Sequence, residues 1–148
     1  MKLSTKGRYG VRLMIDLASH YGEGSILLRE ISEREEISEK YLWQLINPLK
    51  AAGLVMATRG AHGGYVLAKP PYRITLKEIL QVLEGPMCLV DCVEKPNVCK
   101  RVPICSARDM WNEVADGINR ILTTTTLADM AERQKTKREK INADSYMI

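Results

Sequence analysis

A chain of 148 residues, 45% apolar and without Phe, holds one domain or one small domain with an oligomerisation arm, and its burial must come from Leu, Ile, Val, Met and a few Tyr and Trp, which suits helices better than a large sheet. The net charge is +4, and Lys2, Lys6, Arg8 and Arg12 crowd the first twelve residues with no acid among them, as expected of a basic turn lying on a phosphate backbone. No stretch approaches the roughly twenty apolar residues of a membrane span, and residues 1–17 lack a signal peptide's apolar core and cleavage site, so a cytoplasmic protein with no membrane partner is expected.

Ser4 is placed to cap a first helix running to about His20, with Val11, Met14, Ile15 and Ala18 at helical spacing and Leu13 and Leu17 widening the buried face. A short helix fits 29–35, with Ile31 as its best core candidate. After a turn at Glu36-Ile37 and a Ser38 cap, Leu42, Leu45, Ile46 and Leu49 form the cleanest apolar stripe of the chain, which closes at Ala51-Ala52-Gly53. Pro48 is expected to bend this helix or remove one of its backbone bonds. The two helices and their tight turn form the arrangement in which the second is offered to a major groove.

Two short apolar runs, 54–57 and 65–67, flank the basic, glycine-rich segment Arg59-Gly60-Ala61-His62-Gly63-Gly64 and predict a β-hairpin wing. Thr75 and Glu78 form a capping box for a helix carrying Leu76, Ile79, Leu80 and Leu83, which Gly85-Pro86 stops. All four cysteines follow within twenty residues, and Pro96 and Pro103 predict an irregular loop there. The longest helix begins at Pro103 or Ser106. Its apolar residues Ile104, Ala107, Trp111, Val114, Ile118 and Ile121 keep a heptad-like seam that a second copy would cover; an arm packed on its own domain is the alternative. Thr126 and Asp129 cap a last helix, whose basic run Arg133, Lys135, Lys137, Arg138 and Lys140 is expected to be a solvated tail.

The fold expected is mainly α with a small β-hairpin wing: a winged helix-turn-helix domain over 1–85, a cysteine-containing sensory loop over 86–105, and a dimerisation helix with a C-terminal helix or tail over 106–148. The two histidines, His20 and His62, fall at a helix end and at the wing tip, and no nucleotide-binding glycine loop follows a strand, so an enzyme is not expected. A protein-interaction module that uses the helix seam without DNA is a weaker alternative.

The face of the third helix opposite Leu42 and Leu45 displays Lys40, Trp43, Gln44, Asn47 and Lys50. Gln and Asn suit bidentate contacts to adenine, and Lys suits guanine or phosphate; Gln44 is the expected base reader. Trp43 is either a methyl contact or, preferably, a packing residue. Tyr41 is either a phosphate donor or a half-buried support for the turn. Arg59, His62, Gly63 and Gly64 would be carried on the wing toward a minor groove. The cysteine pattern Cys88-x3-Cys92-x6-Cys99-x5-Cys105 lacks the paired CxxC spacing of structural zinc; in a reducing compartment zinc, thiol redox and iron–sulfur binding stand level on spacing alone.

The segments Lys2-Leu3-Ser4-Thr5-Lys6-Gly7-Arg8-Tyr9-Gly10, Ile37-Ser38-Glu39-Lys40-Tyr41-Leu42, Ala52-Gly53-Leu54-Val55, Arg59-Gly60-Ala61-His62-Gly63-Gly64-Tyr65, Val82-Leu83-Glu84-Gly85-Pro86 and Thr125-Thr126-Leu127-Ala128-Asp129 resemble the bacterial winged-helix family that includes the IscR, NsrR and CymR regulators. The resemblance covers essentially the whole chain. It implies a homodimer with crossed long helices, two recognition helices on a pseudo-palindromic operator in double-stranded DNA, and contacts from Lys6, Arg8, Ser38, Lys40, Tyr41, Trp43, Gln44, Asn47 and the wing. Most of the chain is most like the CymR type, which implies a repressor of cysteine or sulfur metabolism governed by thiol oxidation or by a cysteine-biosynthesis enzyme as partner. The cysteine loop is more like the IscR and NsrR type. That likeness implies an iron–sulfur cluster on Cys92, Cys99 and Cys105, with Cys88 as a further candidate; 2Fe–2S stands ahead of 4Fe–4S, and zinc or no metal are the alternatives. Two departures bear on this. Arg108 stands where the IscR type has a ligating His, and Arg8 where the NsrR type has a ligating acid, so the fourth ligand is open; Trp43 replaces a common Glu before Gln44, so the operator is expected to differ, because Trp cannot accept a hydrogen bond from cytosine.

Overall fold

The computed structural model describes residues 2–147. Its first helix, α1 (Thr5–Ser19), begins where Ser4 accepts the Gly7 amide, as its position ahead of the apolar run predicts. Leu13, Met14, Leu17 and Ala18 of α1 are buried, whereas Val11 and Ile15 lie only half-buried on its flanks. Around this helix are gathered α2 (Leu28–Glu35), α3 (Glu39–Ala51), α4 (Leu76–Glu84) and the start of α7 (Leu127–Tyr146). Ile31, Leu42, Leu45, Ile46, Leu49, Ile74, Ile79, Leu83 and Leu127 complete one continuous core with the α1 residues.

The turn between α2 and α3 is made by Glu36, a non-glycine residue with φ of 54°, and is closed by Ser32 Oγ donating to the Ile37 carbonyl at 2.6 Å. Ser38 then caps α3 by accepting the Tyr41 amide at 3.2 Å. Pro48 does not end α3, which runs on to Ala51. The ring lacks the N–H that the Gln44 carbonyl would otherwise receive, but the Pro48 carbonyl still accepts the Ala52 amide at 3.0 Å.

Strands β1 (Val55–Thr58) and β2 (Gly64–Leu67) pair antiparallel with Val55 opposite Leu67 and Thr58 opposite Gly64. Ile26 extends the hairpin by an isolated bridge to Tyr65, with bonds of 2.8 and 3.0 Å. This approach fixes glycine at position 64, since a Cβ there would lie 2.6 Å from the Ile26 carbonyl oxygen. The Thr75–Glu78 capping box opens α4 as expected.

The cysteine segment is more structured than its two prolines suggest. It contains a single helical turn, α5 (Asp91–Glu94), and 3-10 turns at Pro96–Val98 and Val102–Ile104. Proline in the first two positions of a short turn forgoes an amide that would have no partner there, so Pro96 starts its turn and Pro103, second in the other, is accommodated by it. Ile104, expected at the head of the long seam, therefore lies in a turn before α6 (Ser106–Thr124), whose cap is Cys105. Along α6, Trp111, Val114 and Ile121 are exposed at 44%, 41% and 60%.

The last helix returns to the core. Backbone bonds from Leu127 N–H to the Ile74 carbonyl (2.8 Å) and from Leu76 N–H to the Thr125 carbonyl (2.9 Å) tie its start to that of α4, and Leu127 is fully buried. The basic run lies along this helix, with Arg133, Lys135, Lys137, Arg138 and Lys140 all exposed.

A polar layer lies under the helix-turn-helix. Asp16, buried in α1, accepts two bonds from Arg34 at 2.9 and 2.8 Å. Glu35, also buried, is held by Arg12, whose Nε donates to Oε2 at 3.3 Å and whose Nη2 donates to the main-chain carbonyl. Burial first, and then the charge of Asp16, raise the Glu35 carboxyl above the usual carboxylate range against the lowering pull of Arg12.

Leu127→Ala is expected to cost about 2–5 kcal/mol in denaturant unfolding, because α7 starts inside the core; a loss within about 0.5 kcal/mol would place that residue at the surface. For Glu35 the raised folded-state pKa means that folding takes up a proton. Its contribution is complete below the unfolded carboxylate range and is lost as pH rises through the folded value. Melting temperatures of Glu35→Gln and the parent, compared from about pH 4 to pH 7, should therefore converge at the acid end and separate in favour of the variant toward neutrality.

Candidate nucleic-acid interface

Burial of the apolar stripe of α3 leaves the opposite face to solvent. Lys40, Trp43, Gln44 and Lys50 are exposed along it, and Asn47 is half-buried at its edge. Trp43 is 56% exposed, so the preference for a packing role is not met. Its ring borders an open groove whose walls are Arg29 at the start of α2, Glu39, and Gly64 and Tyr65 of the wing. Helix α3 and the wing thus share one concavity.

Tyr41 is half-buried and meets Tyr9 of α1 edge to face, with ring centroids 6.0 Å apart, as the supporting role requires. The guanidinium carbons of Arg8 and Arg12 lie 5.7 and 5.3 Å from the Tyr9 centroid. Tyr9 therefore joins the basic N-terminal turn to the start of α3. The same turn is anchored from behind: Glu84 Oε1 accepts the amides of Ser4 and Gly7 at 3.0 and 3.1 Å, which supplies two of the four orphan donors of α1. Lys6 and Arg8 stay exposed on the outer side.

On the wing, Arg59 and His62 are exposed at the tip, and Gly63 and Gly64 are half-buried where β2 begins. Gly60 has φ of 103°, and a Cβ at Gly63 would lie 2.7 Å from the Thr58 carbonyl oxygen, so the tip can only be this tight with glycine at both places. Ser25 Oγ donates to the His62 carbonyl at 2.5 Å and steadies the tip from the segment before α2. Asp16, Glu35 and Glu84 are supporting residues that pattern reading passed over, and Arg12, grouped with the basic turn by its sequence position, is committed to Glu35 instead; Asp16 had a visible signal, an acid within the buried stripe of α1.

The cysteines are spread along their segment. Cys88 and Cys99 are exposed, and Cys92 and Cys105 are half-buried. Cys105 Sγ accepts the Arg108 amide at 3.4 Å, and Arg108 Nε donates to the Cys92 carbonyl at 3.1 Å, which draws the α5 turn to the head of α6. Slight desolvation and the carboxylates Glu94 and Asp91 hold the Cys88 thiol above the usual cysteine range, which lowers its thiolate fraction. Thiolates are suitable donors for soft metals. Among the described residues, no three His, Cys, Asp or Glu side chains are grouped to hold a metal ion. Nor, among the described residues, is any helix long and apolar enough to cross a membrane.

Known proteins share this architecture. The family Rrf2, described as an iron-dependent transcriptional regulator, matches residues 3–133. The HTH-type transcriptional regulator CymR of Bacillus subtilis is 45% identical over 131 residues, 88% of this chain and 90% of that protein. The solved structure of CymR (YrzC), the global cysteine regulator of B. subtilis, is similar with a TM-score of 0.79 at 43% identity, covering 90% of this chain and 98% of that one. The IscR structure from T. potens gives a TM-score of 0.73 at 42% identity, covering 90% and 88%. A match to these regulators over about nine-tenths of the chain, together with the exposed α3 face and its adjoining wing, places the protein: the chain belongs to the Rrf2 family of winged-helix, DNA-binding transcriptional regulators and is not an enzyme.

Proposed function

We propose that two copies of this chain pair through α6 and present α3 and the wing of each to a pseudo-palindromic duplex, and that the redox state of the cysteine segment governs this binding in the cytoplasm. The observation that carries the reading is the shared concavity of Trp43 on α3 and Gly64-Tyr65 on the wing, beside exposed Lys40 and Gln44. Pairing through α6 is supported by the exposed Trp111, Val114 and Ile121, apolar surface on one face that a second copy would remove from water. Related by a two-fold axis, the recognition helices would meet major grooves about 34 Å apart. Gln44 and Asn47 read bases; Lys6, Arg8, Ser38 and Lys40 position the subunit on phosphate; Arg59 and His62 reach the minor groove.

The cysteine segment joins α4 to α6, so a change in its fold is felt at both the DNA-binding core and the pairing helix. Similarity to CymR, named a global cysteine regulator, supports a repressor of sulfur metabolism that works by thiol oxidation or with a cysteine-biosynthesis enzyme as partner. A second reading, an iron–sulfur cluster on Cys92, Cys99 and Cys105, is supported by the family's description as iron-dependent and by the similarity to IscR.

Binding to a duplex selected by the protein from a randomised pool tests the DNA reading. Gln44→Ala is expected to lose about 1–3 kcal/mol of discrimination at one base position, and Lys40→Ala to reduce the slope of log K against log salt by about 0.9 per phosphate lost. A monomer with no salt-sensitive association with any duplex would overturn the reading. For the cysteine segment, anaerobic purification and reconstitution followed by visible spectroscopy and iron and sulfide analysis separates the two forms: iron with acid-labile sulfide supports the cluster, and neither element supports thiol control.

A further inference from the structure

The polar layer beneath the helix-turn-helix is incomplete on one side. Glu35 ends α2, immediately before the left-handed Glu36 that turns the chain into α3. Arg12 holds its main-chain carbonyl and Oε2 from α1, while Oε1 is buried and has no hydrogen-bond partner. An unpaired buried carboxylate oxygen is costly, and proteins supply such atoms with a partner. Asp16 does not serve: it is an acid already engaged by Arg34, with His20 Nδ1 3.7 Å away. What faces Oε1 is Arg138 of α7, its Nη2 4.0 Å away, just outside hydrogen-bond range and on a side chain 55% exposed.

We infer that Arg138 is a positioning residue for DNA recognition: by pairing with Glu35 it fastens the C-terminal helix to the turn that sets the direction of α3, without touching DNA itself. The turn is otherwise held by Arg12 on the Glu35 carbonyl and Ser32 on the Ile37 carbonyl. Arg138 adds a polar restraint that comes from outside α1 and α2. It comes from α7, whose start is tied by backbone bonds to α4 and which directly follows the proposed pairing helix. A shortening of 4.0 Å to an ordinary charge-assisted bond of about 2.8 Å needs only a side-chain movement, and it would satisfy Oε1. The charged groups that face Glu35 are Arg12 and Asp16 from α1, Arg34 from its own helix and Arg138 from α7, so removing Arg138 leaves the carboxylate beside Asp16 with fewer compensating cations.

The inference rests on α3 being the DNA-reading helix, and its test has an arm that does not. In the full chain, Arg138→Gln alters an exposed guanidinium and leaves the core intact. Hydrogen exchange of free protein should show faster exchange of the amides of 36–38 in Arg138→Gln, and near-parent rates in Arg138→Lys, which keeps the charge. With a duplex selected by the parent protein from a randomised pool, Arg138→Gln should bind roughly three- to tenfold more weakly at an unchanged salt slope. The same substitution made in a Glu35→Gln background should add little further loss, because the partner is already neutral. A fall of about 0.9 in the salt slope, persisting in the Glu35→Gln background, would show Arg138 to be a phosphate contact and overturn the inference. Unchanged exchange at 36–38 would also overturn it. If the parent protein selects no duplex, the DNA reading fails while the exchange experiment still decides the pairing.

Discussion

The contact between α1 and α4 is closer than two ordinary helices allow. A Cβ at Gly10 would lie 2.0 Å from Leu83 Cδ1, and one at Gly7 would lie 2.1 Å from Glu84 Oε1. With no side chain between them at these two points, the α4 carboxylate reaches the amides at the start of α1, and Leu83 enters the common core. The basic N-terminal turn is thereby fixed in direction, and so is the apolar face of α1 on which α2, α3 and α7 are assembled. Every element proposed to meet DNA is positioned from this pair of helices.

Charge is sorted to match. The outer side of the core carries exposed Lys6, Arg8, Lys40 and Arg59 around the α3 face and wing, where each cation is solvated and available to phosphate. The inner side carries the two buried acids Asp16 and Glu35, each answered by arginine. The overall charge of +4 says little about this division; what matters is that cations are left free on one face because the acids are committed on another.

The cysteine segment has a different physical character. It has no residue in the common core, two of its thiols are exposed, and its order depends on short turns and on Arg108 reaching back to the Cys92 carbonyl. Such a segment is weakly held by its own contacts, which is the property expected of an element that changes with oxidation or ligand binding. Its position between α4 and α6 gives any such change two outlets, the helix pair that fixes the N-terminal turn and the helix with the exposed apolar seam.

The helices and the wing were legible in the amino-acid sequence because local rules set them. Ser4, Ser38, Thr75 and Thr126 each precede an apolar run at helical spacing and each accepts a first-turn amide. The glycines of 60–64 mark a tip that no other residue could form. The exposed Lys40 and Gln44 follow from the period of α3 once its buried stripe is known. Tertiary structure alone decided the remainder. Trp43, outward by the same period, meets a groove with the wing only because α3 and β2 are assembled side by side, and Ile104 left its seam because a 3-10 turn precedes α6. Arg12, Glu35 and Arg138 are more than twenty residues apart in each step along the chain and have no periodic signature; they met because the folding of α1, α2 and α7 about one core put them there. Spacing can announce a helix face, since neighbours on a face are three or four residues apart, but it cannot announce which distant charge that face will meet.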